Sequence, residues 1–464
     1  MLFMNRVIEY FTAFRNTLIL KLGIKSSRTK NITKHVFFSF LFKAGSILAN
    51  FLLIPLTIDF LDTENYGIWL TISSFVSWFS FFDIGLGNGL RNKFTETTSK
   101  SDYSAARSYV STTYFTIFFF SIFLFTFFIV ANYFINWSKV FNVSVNFNHD
   151  LTILMPIVFG LFCMQLVLKL ITTIYTADQH HSMQGRLFFI IQLLTLIFIW
   201  VLNTFSKSSL LHYGIVFSLM PVLILLCLNI IAFKGRYRYY KPSLLFWNRG
   251  YLKDVFGLGL SFFIIQIAGV ILFTTDNIII TQLFGAAEVV PYNMAYKYFS
   301  ILNMTLTIIS SPFWSSITNA YTQGDYVWIK KAMKNLVYIS IGAIFIILAM
   351  ILFADSFYHI WLGKKVIVPL SLTIYMGLFF MVNNSYSSFT YFLNATGKIK
   401  LQMFTVVFMS LVNIPLAIYF AKNLNFGVSG VIFSTTLCLL PHCILLPIQY
   451  HKIINNKARG IWSK

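Results

Sequence analysis

Lys43, Lys169 and Lys297 lie inside long apolar runs of a 464-residue chain that is 57% hydrophobic and only 11% charged. An ammonium group held in hydrocarbon costs several kcal/mol, so each of the three is expected to face a protein interior or a watery cavity. Ser39, Lys43, Ser46 and Asn50 follow one another at four, three and four residues and therefore share one helix face. Gln165, Lys169, Thr172 and Thr176 repeat the spacing. Cations set in polar stripes of this kind suit an anionic cargo. Lys297 stands between Tyr296 and Tyr298, a pattern that also fits an interfacial aromatic belt, with the lysine stem snorkelling to the surface.

The other candidates group by chemistry. Asp83 and Asp276 are the carboxylates set within apolar runs, where they serve either charge pairing with a lysine or ion coupling through proton or sodium uptake. Arg91 and Lys93 follow the glycine-spaced segment Gly85-x-Gly87-x-Gly89 and can meet an anionic group at a membrane face. Those glycines follow an apolar helix rather than a strand, so they favour close helix packing over nucleotide binding. Trp78 and Trp314 offer aromatic faces on which sugars stack. Asn383, Asn384, Ser385 and Tyr386 form a polar cluster in an apolar run and are expected to line a cavity wall. The sequence holds no phosphate-binding lysine loop, HExxH or nucleophile elbow, so no catalytic residue is assigned. Cys163, Cys227, Cys438 and Cys443 lack metal or disulfide spacing, and His180-His181 reads as a solvated turn; neither a metal nor a cofactor is expected.

The elements that must position these groups are membrane spans. Apolar runs of roughly 20 residues, each enough to cross a ~30 Å core, recur along the chain. They give about twelve spans, near 36–60, 66–90, 108–131, 151–175, 187–204, 211–233, 256–280, 291–318, 335–354, 366–396, 401–421 and 426–448. Of the 35 Lys and Arg residues, 27 fall at the termini and in loops following even-numbered spans, 5 in the alternate loops and 3 inside spans. Both termini are therefore expected on the cytoplasmic side. The formal charge of +21 follows the membrane in this way, which argues against nucleic acid as a partner.

The expected organisation is a cytoplasmic amphipathic segment at 1–35, a six-helix half at 36–233, a basic linker at 234–255, a second six-helix half at 256–448 and a basic cytoplasmic tail at 449–464. Residues 1–35 carry Phe3, Val7, Phe11, Phe14, Leu18 and Leu22 at helical spacing and lack a cleavable h-region, so a surface helix on lipid is expected. Phe60 and Glu64 match Phe284 and Glu288 at an offset of 224, Tyr66 matches Tyr292 at 226, and Asp102-Tyr103 matches Asp325-Tyr326 at 223. Such a duplication of an even number of spans implies halves related by an axis along the membrane normal, with a pathway between them.

The second span, from Tyr66-Gly67-Ile68-Trp69 through Ser77-Trp78 to Phe82-Asp83-Ile84-Gly85-Leu86-Gly87-Asn88-Gly89-Leu90-Arg91-Asn92-Lys93, resembles that of Wzx-type O-antigen flippases, the polysaccharide branch of the MATE-like superfamily. Thr275-Asp276-Asn277, Gly285 and Tyr292 in the second half are similar to that family as well. The resemblance implies an all-α, MATE-like transporter rather than an enzyme, sited in the bacterial inner membrane. Its cargo would be an undecaprenyl-pyrophosphate-linked oligosaccharide, the O-antigen repeat unit, moved by alternating access through a cationic cavity, with membrane lipids and polysaccharide polymerase machinery as neighbours. Lys43, Lys169, Lys297, Arg91, Lys93, Trp78 and Trp314 are the candidate substrate contacts. The competing readings are a MATE-type multidrug exporter, for which three buried lysines are unsuited, and an O-antigen polymerase. The polymerase would need a long outer loop with catalytic arginines or histidines, whereas residues 132–150 offer only Lys139 and His149.

Overall fold

Asp62 interrupts the first long helix. The run α1 (Ser27–Ser77) breaks there at φ 69° and ψ 174°, and the Asp62 carboxylate accepts the Asn65 backbone and side-chain amides at 2.9 and 2.8 Å, capping the second arm as it begins. The first arm is long enough to cross hydrocarbon at ~1.5 Å per residue, whereas the second reaches only about 22 Å before Ser77 and the chain continues beyond it. The computed structural model describes residues 27–178, 180, 182–256 and 260–463, so most of the surface helix expected over 1–35 lies outside the described residues.

The order after α1 is a 3₁₀ turn (Trp78–Phe81), α2 (Phe82–Ser99), α3 (Tyr103–Phe134), the short α4 (Trp137–Val140), α5 (Phe147–Leu168), α6 (Leu170–Ala177), α7 (Ser182–Phe205) and α8 (Leu210–Lys234). A linker then leads through α9 (Arg249–Phe256) to α10 (Leu260–Thr274), α11 (Asp276–Phe284), α12 (Val289–Thr322), α13 (Tyr326–Leu362), α14 (Leu370–Thr396), α15 (Lys400–Ile418) and α16 (Val428–Ile454). No strand occurs among the described residues. Nine of the described helical segments have the length and apolar composition to cross a membrane, and this is an all-α, multi-pass membrane protein.

The halves repeat particular geometry. Asp102 accepts the Ala105 amide and starts α3; Asp325, 223 residues on, accepts the Trp328 amide and starts α13. The same offset separates the break at Asp62 from Gly285, which has φ 94° and ends α11. Glycine adopts this left-handed region without strain, whereas Asp62 relies on its own side-chain cap.

Packing differs between the two ends of the helices. The loops around Asp62, 135–146, 285–288 and 363–369 meet at one end, where the first half's core incorporates Ala286, Val290, Met294, Leu362 and Val366 of the second. At the other end, which holds most of the lysines and arginines, the first half has its own cluster of Leu86, Leu90, Phe94, Leu170, Ile174 and neighbours among the described residues. The two halves thus share a core at the Asp62 end, and toward the basic end the first half has a cluster of its own.

The backbones come close together across the joined end at Gly67. A Cβ there would lie 1.8 Å from the Ala286 carbonyl oxygen, a clash with backbone that no rotamer change relieves. Gly67→Val is expected to destabilise the protein by at least about 2 kcal/mol through overpacking, measured as a lower melting temperature in detergent, while Gly269→Ala, where open space surrounds the added carbon, should change little.

Candidate functional site

The joined end is also the polar seam of the molecule. Thr71 and Thr281 hydroxyls meet at 2.7 Å, Asn277 donates to Ser74 at 2.7 Å, and Asn293 donates to Asn277 at 2.9 Å. Gly67, Thr71 and Ser74 recur at four and three residues, which aligns them on the α1 face that meets α11. Trp361 donates to the Phe51 carbonyl at 2.9 Å, Asn142 donates to the Thr281 and Gln282 carbonyls, and Lys365 pairs with Asp59. These hydrogen bonds and the ion pair between the halves lie at this end.

Lys297 belongs to that seam. Its Nζ donates to Tyr66 Oη at 3.3 Å and stands 6.0 Å from the Tyr66 ring centroid, so the ammonium crosses from one half to the other instead of snorkelling to a surface. The flanking tyrosines form no interfacial belt. Tyr298 is buried and donates to the Met350 carbonyl at 3.0 Å, and Tyr296 packs on Phe379 and Phe380.

Asp276 is 2% exposed at the join of α10 and α11. The Tyr292 hydroxyl donates to Oδ2, and Oδ1 has no hydrogen-bond partner among the described residues. No cation among the described residues pairs with it. The side chains of Asp83 and Trp314 lie outside the described residues.

Most of the remaining cations occupy the opposite, basic part of the first half. Lys43 is half-buried on the first arm of α1, beside Phe42, whose ring faces Arg186 of α7 at 5.4 Å and Phe189 at 6.0 Å. Gly45 permits that approach, since an added Cβ would lie 2.6 Å from the Phe189 ring. Lys169 is exposed at the junction of α5 and α6. Arg91 and Lys93 lie on α2, which is tied to α6 by the Thr95 hydroxyl donating to the Ala177 carbonyl at 3.2 Å. At ~1.5 Å per residue, Arg91 and Lys169 each sit about 12 Å in from the ends of their helices on this side.

These cations differ in commitment. Arg91 is exposed and has no carboxylate within ion-pair distance among the described residues. Lys93 pairs with Glu96 at 3.1 Å, and Lys100 reaches the same carboxylate at 2.8 Å. Hydrogen bonds from Lys100 and Lys93 hold the Glu96 carboxyl below the ordinary carboxylate range. A surface pair of this kind contributes little and leaves Lys93 available to a stronger anion. Trp78 sits in the 3₁₀ turn with its indole N–H buried and unpartnered among the described residues, a donor for a ligand hydroxyl.

Several functional-looking groups escaped sequence reading. Arg186 sits near a helix start and reads as an ordinary loop cation; only packing of α7 on α1 brings it beside Phe42 and Lys43. Asn229 donates to the Leu168 carbonyl at 2.8 Å and accepts from Tyr114 at 3.0 Å, satisfying backbone where α5 gives way to α6 next to Lys169. The polar stripes are partly self-satisfied: Ser46 bonds the Phe42 carbonyl, Thr172 that of Lys169 and Thr176 that of Thr172. Asn384 and Tyr386 are buried within the second half rather than lining a cavity wall, Tyr386 donating to Asn383 at 2.8 Å.

Residues 32–317 match the family model described as polysaccharide biosynthesis protein, and residues 262–419 match the MatE model. The chain belongs to the polysaccharide biosynthesis protein family. It is 22% identical over 392 residues, 83% of this chain, to a Yersinia pseudotuberculosis protein named for O-antigen export, of which the match covers 88%. The inward-facing structure of a multidrug resistance MATE family transporter of the MOP superfamily superposes with a TM-score of 0.75 at 13% identity, covering 91% of this chain and 98% of that one. An outward-facing structure of such a transporter gives 0.62 at 14% identity, covering 92% and 97%. A MOP superfamily transporter from Pyrococcus furiosus, described as having a binding pocket of reverse polarity, gives 0.65 at 13% identity over 93% and 97%. This polysaccharide biosynthesis protein therefore has the MATE-like fold.

The Asp276–Tyr292 contact yields a direct test. Tyr292→Phe leaves a fully buried carboxylate without its donor and is expected to cost about 1–3 kcal/mol, read as a fall in melting temperature. Asp276→Asn should be tolerated better, because the amide removes the buried charge and retains an oxygen that accepts from Tyr292.

Proposed function

We propose that the protein is a flippase that carries an undecaprenyl-pyrophosphate-linked oligosaccharide, an O-antigen repeat unit, from the cytoplasmic to the outer face of the bacterial inner membrane. In this reading the chain crosses twelve times with both termini cytoplasmic. Residues 36–233 and 256–448 are the two rocking halves, joined by the linker at 234–255, and the tail from 449 lies in the cytoplasm. The observation that carries the proposal is the opposition of seam and cations. The described polar contacts between halves gather at the Asp62 end, while Lys43, Arg91, Lys93, Lys169 and Arg186 gather toward the other. A cleft that opens on the cations suits a pyrophosphate, whose charge they neutralise while its long lipid stays in the bilayer. The name of the Yersinia relative supports the same class of cargo.

The mechanism follows from where energy is held. With the cleft open at the basic end, cations of the first half hold the pyrophosphate and Trp78 offers its indole face and N–H to the sugar. Rocking to the opposite state requires the Tyr66–Lys297, Asp59–Lys365 and Thr71–Thr281 contacts to part. Lys297 is then exposed at the outer mouth, where it can receive the anion before release. Asp276, with one oxygen unpartnered, is the group assigned to proton or sodium coupling, and Asp83 its candidate counterpart in the first half. Contact with polysaccharide polymerase machinery would follow release at the outer face.

Deletion of the gene in its own host should abolish surface polysaccharide and leave lipid-linked oligosaccharide on the inner face. Complementation with Lys43→Ala or Lys169→Ala at normal protein level should lower surface glycan at least tenfold. Full restoration by both would overturn the cationic cleft, and unchanged glycan with heightened drug sensitivity in the deletion would indicate an exporter. For the seam, Asp59→Cys with Lys365→Cys should cross-link readily in the cargo-free protein and, once linked, block transport. Transport that persists in the linked protein would refute the rocking of the halves at this end.

A further inference from the structure

The linker between the halves is built unlike a solvated loop. Residues 234–249 hold Lys234, Arg236, Arg238, Lys241 and Arg249 and no acidic residue. Leu245 is 93% exposed, Leu244 59% and Trp247 42%, large apolar groups turned outward in the same stretch as the charges. Chance exposure does not account for their fixed position. The Ser243 amide donates to Ser111 Oγ at 3.2 Å, the Asn248 amide to Thr112 Oγ1 at 3.0 Å, and the Trp247 indole to Thr116 Oγ1 at 3.3 Å. Arg107 donates to the Lys241 carbonyl at 3.2 Å and lies 4.1 Å over the Phe246 ring. The linker is therefore strapped to α3 by contacts that step along its first turns.

Two further contacts complete the clamp. Tyr237 is buried and donates to Asp178 Oδ2 at 2.8 Å, and Arg236 pairs with the same oxygen at 2.9 Å. Burial, reinforced by the Asp178 carboxylate, pushes the Tyr237 hydroxyl up, so it stays a donor. Arg236 is thus committed to the protein, whereas Arg238, Lys241 and Arg249 are exposed. Directly beyond the strap, α3 presents Phe118, Phe119, Ile122 and Phe123 as exposed apolar residues of a membrane-crossing helix. The outward leucines and tryptophan of the linker adjoin that lipid-facing wall.

We propose that this strap, residues 238–249, is an anionic-phospholipid docking surface. Leu244, Leu245 and Trp247 enter the acyl–headgroup boundary beside α3, and Arg238, Lys241 and Arg249 hold lipid phosphates. Charge complementarity and continuity with the lipid-facing helix both select a bilayer leaflet over a soluble partner, since basic residues at such a boundary each add about 1 kcal/mol of attraction to an anionic leaflet. The first half is in this way fixed to the leaflet, and the second half moves relative to it. The inference is independent of the cargo.

The test uses full-length protein in nanodiscs of phosphatidylcholine with or without phosphatidylglycerol. A fluorophore on Leu245→Cys, in a chain carrying Cys227→Ser because Cys227 is the exposed native cysteine, should be quenched more by headgroup-proximal nitroxide lipid than by aqueous iodide. Phosphatidylglycerol should raise the melting temperature of the unlabelled protein. Arg238→Gln, Lys241→Gln and Arg249→Gln combined should remove at least half of that shift, and Lys330→Gln, Lys331→Gln and Lys334→Gln combined should retain it. Stronger quenching by iodide would overturn the proposal and leave the face to a soluble partner. An equal loss in both triple variants would overturn it in favour of unspecific charge attraction. Should the labelled chain fail to fold, the unlabelled variants decide alone.

Discussion

The close approach of Gly67 to the Ala286 carbonyl is the contact on which the arrangement of the halves depends. Without a side chain at that point, α1 and the start of the 286–288 turn come near enough for short hydroxyl and amide side chains to meet. Thr71 then reaches Thr281, and Ser74 reaches Asn277. Small residues with polar neighbours join helices in this way where lipid provides no hydrophobic drive between apolar faces. The same closeness lets Lys297 cross to Tyr66 and find a hydroxyl and an aromatic face in place of water.

The basic end follows the opposite rule. There the first half completes its own core and its helix breaks are satisfied internally, as when Asn229 takes the Leu168 carbonyl. Lys169 and Arg91 are exposed on the surface of the first half, on the side to which the cations of the whole chain are biased. One end spends its polar groups on joining and the other presents them.

Much of this was legible beforehand. Apolar runs and the parity of Lys and Arg depend only on local composition against a bilayer of fixed thickness, and the helices of the structure follow those runs. The capping aspartates Asp102 and Asp325 declared the repeat, because an N-cap is a local feature that survives divergence of the helix behind it. The boundary at the tenth span was less sharp: the apolar run begins at 366, but the helix begins at Leu370, after Pro369.

Side-chain partners were not legible. Lys297 between two tyrosines looked like a snorkelling residue, because sequence spacing ranks residues along one helix and says nothing of the helix opposite. Arg186 and Asn229 acquire meaning only when α7 lies on α1 and α8 on α5. The sequence by itself determined that this is a helical membrane protein with a biased distribution of charge, since those properties arise from each segment meeting lipid or water on its own. Only the tertiary structure decided which cations join the halves and which stay exposed, since that depends on where backbones come within hydrogen-bonding distance.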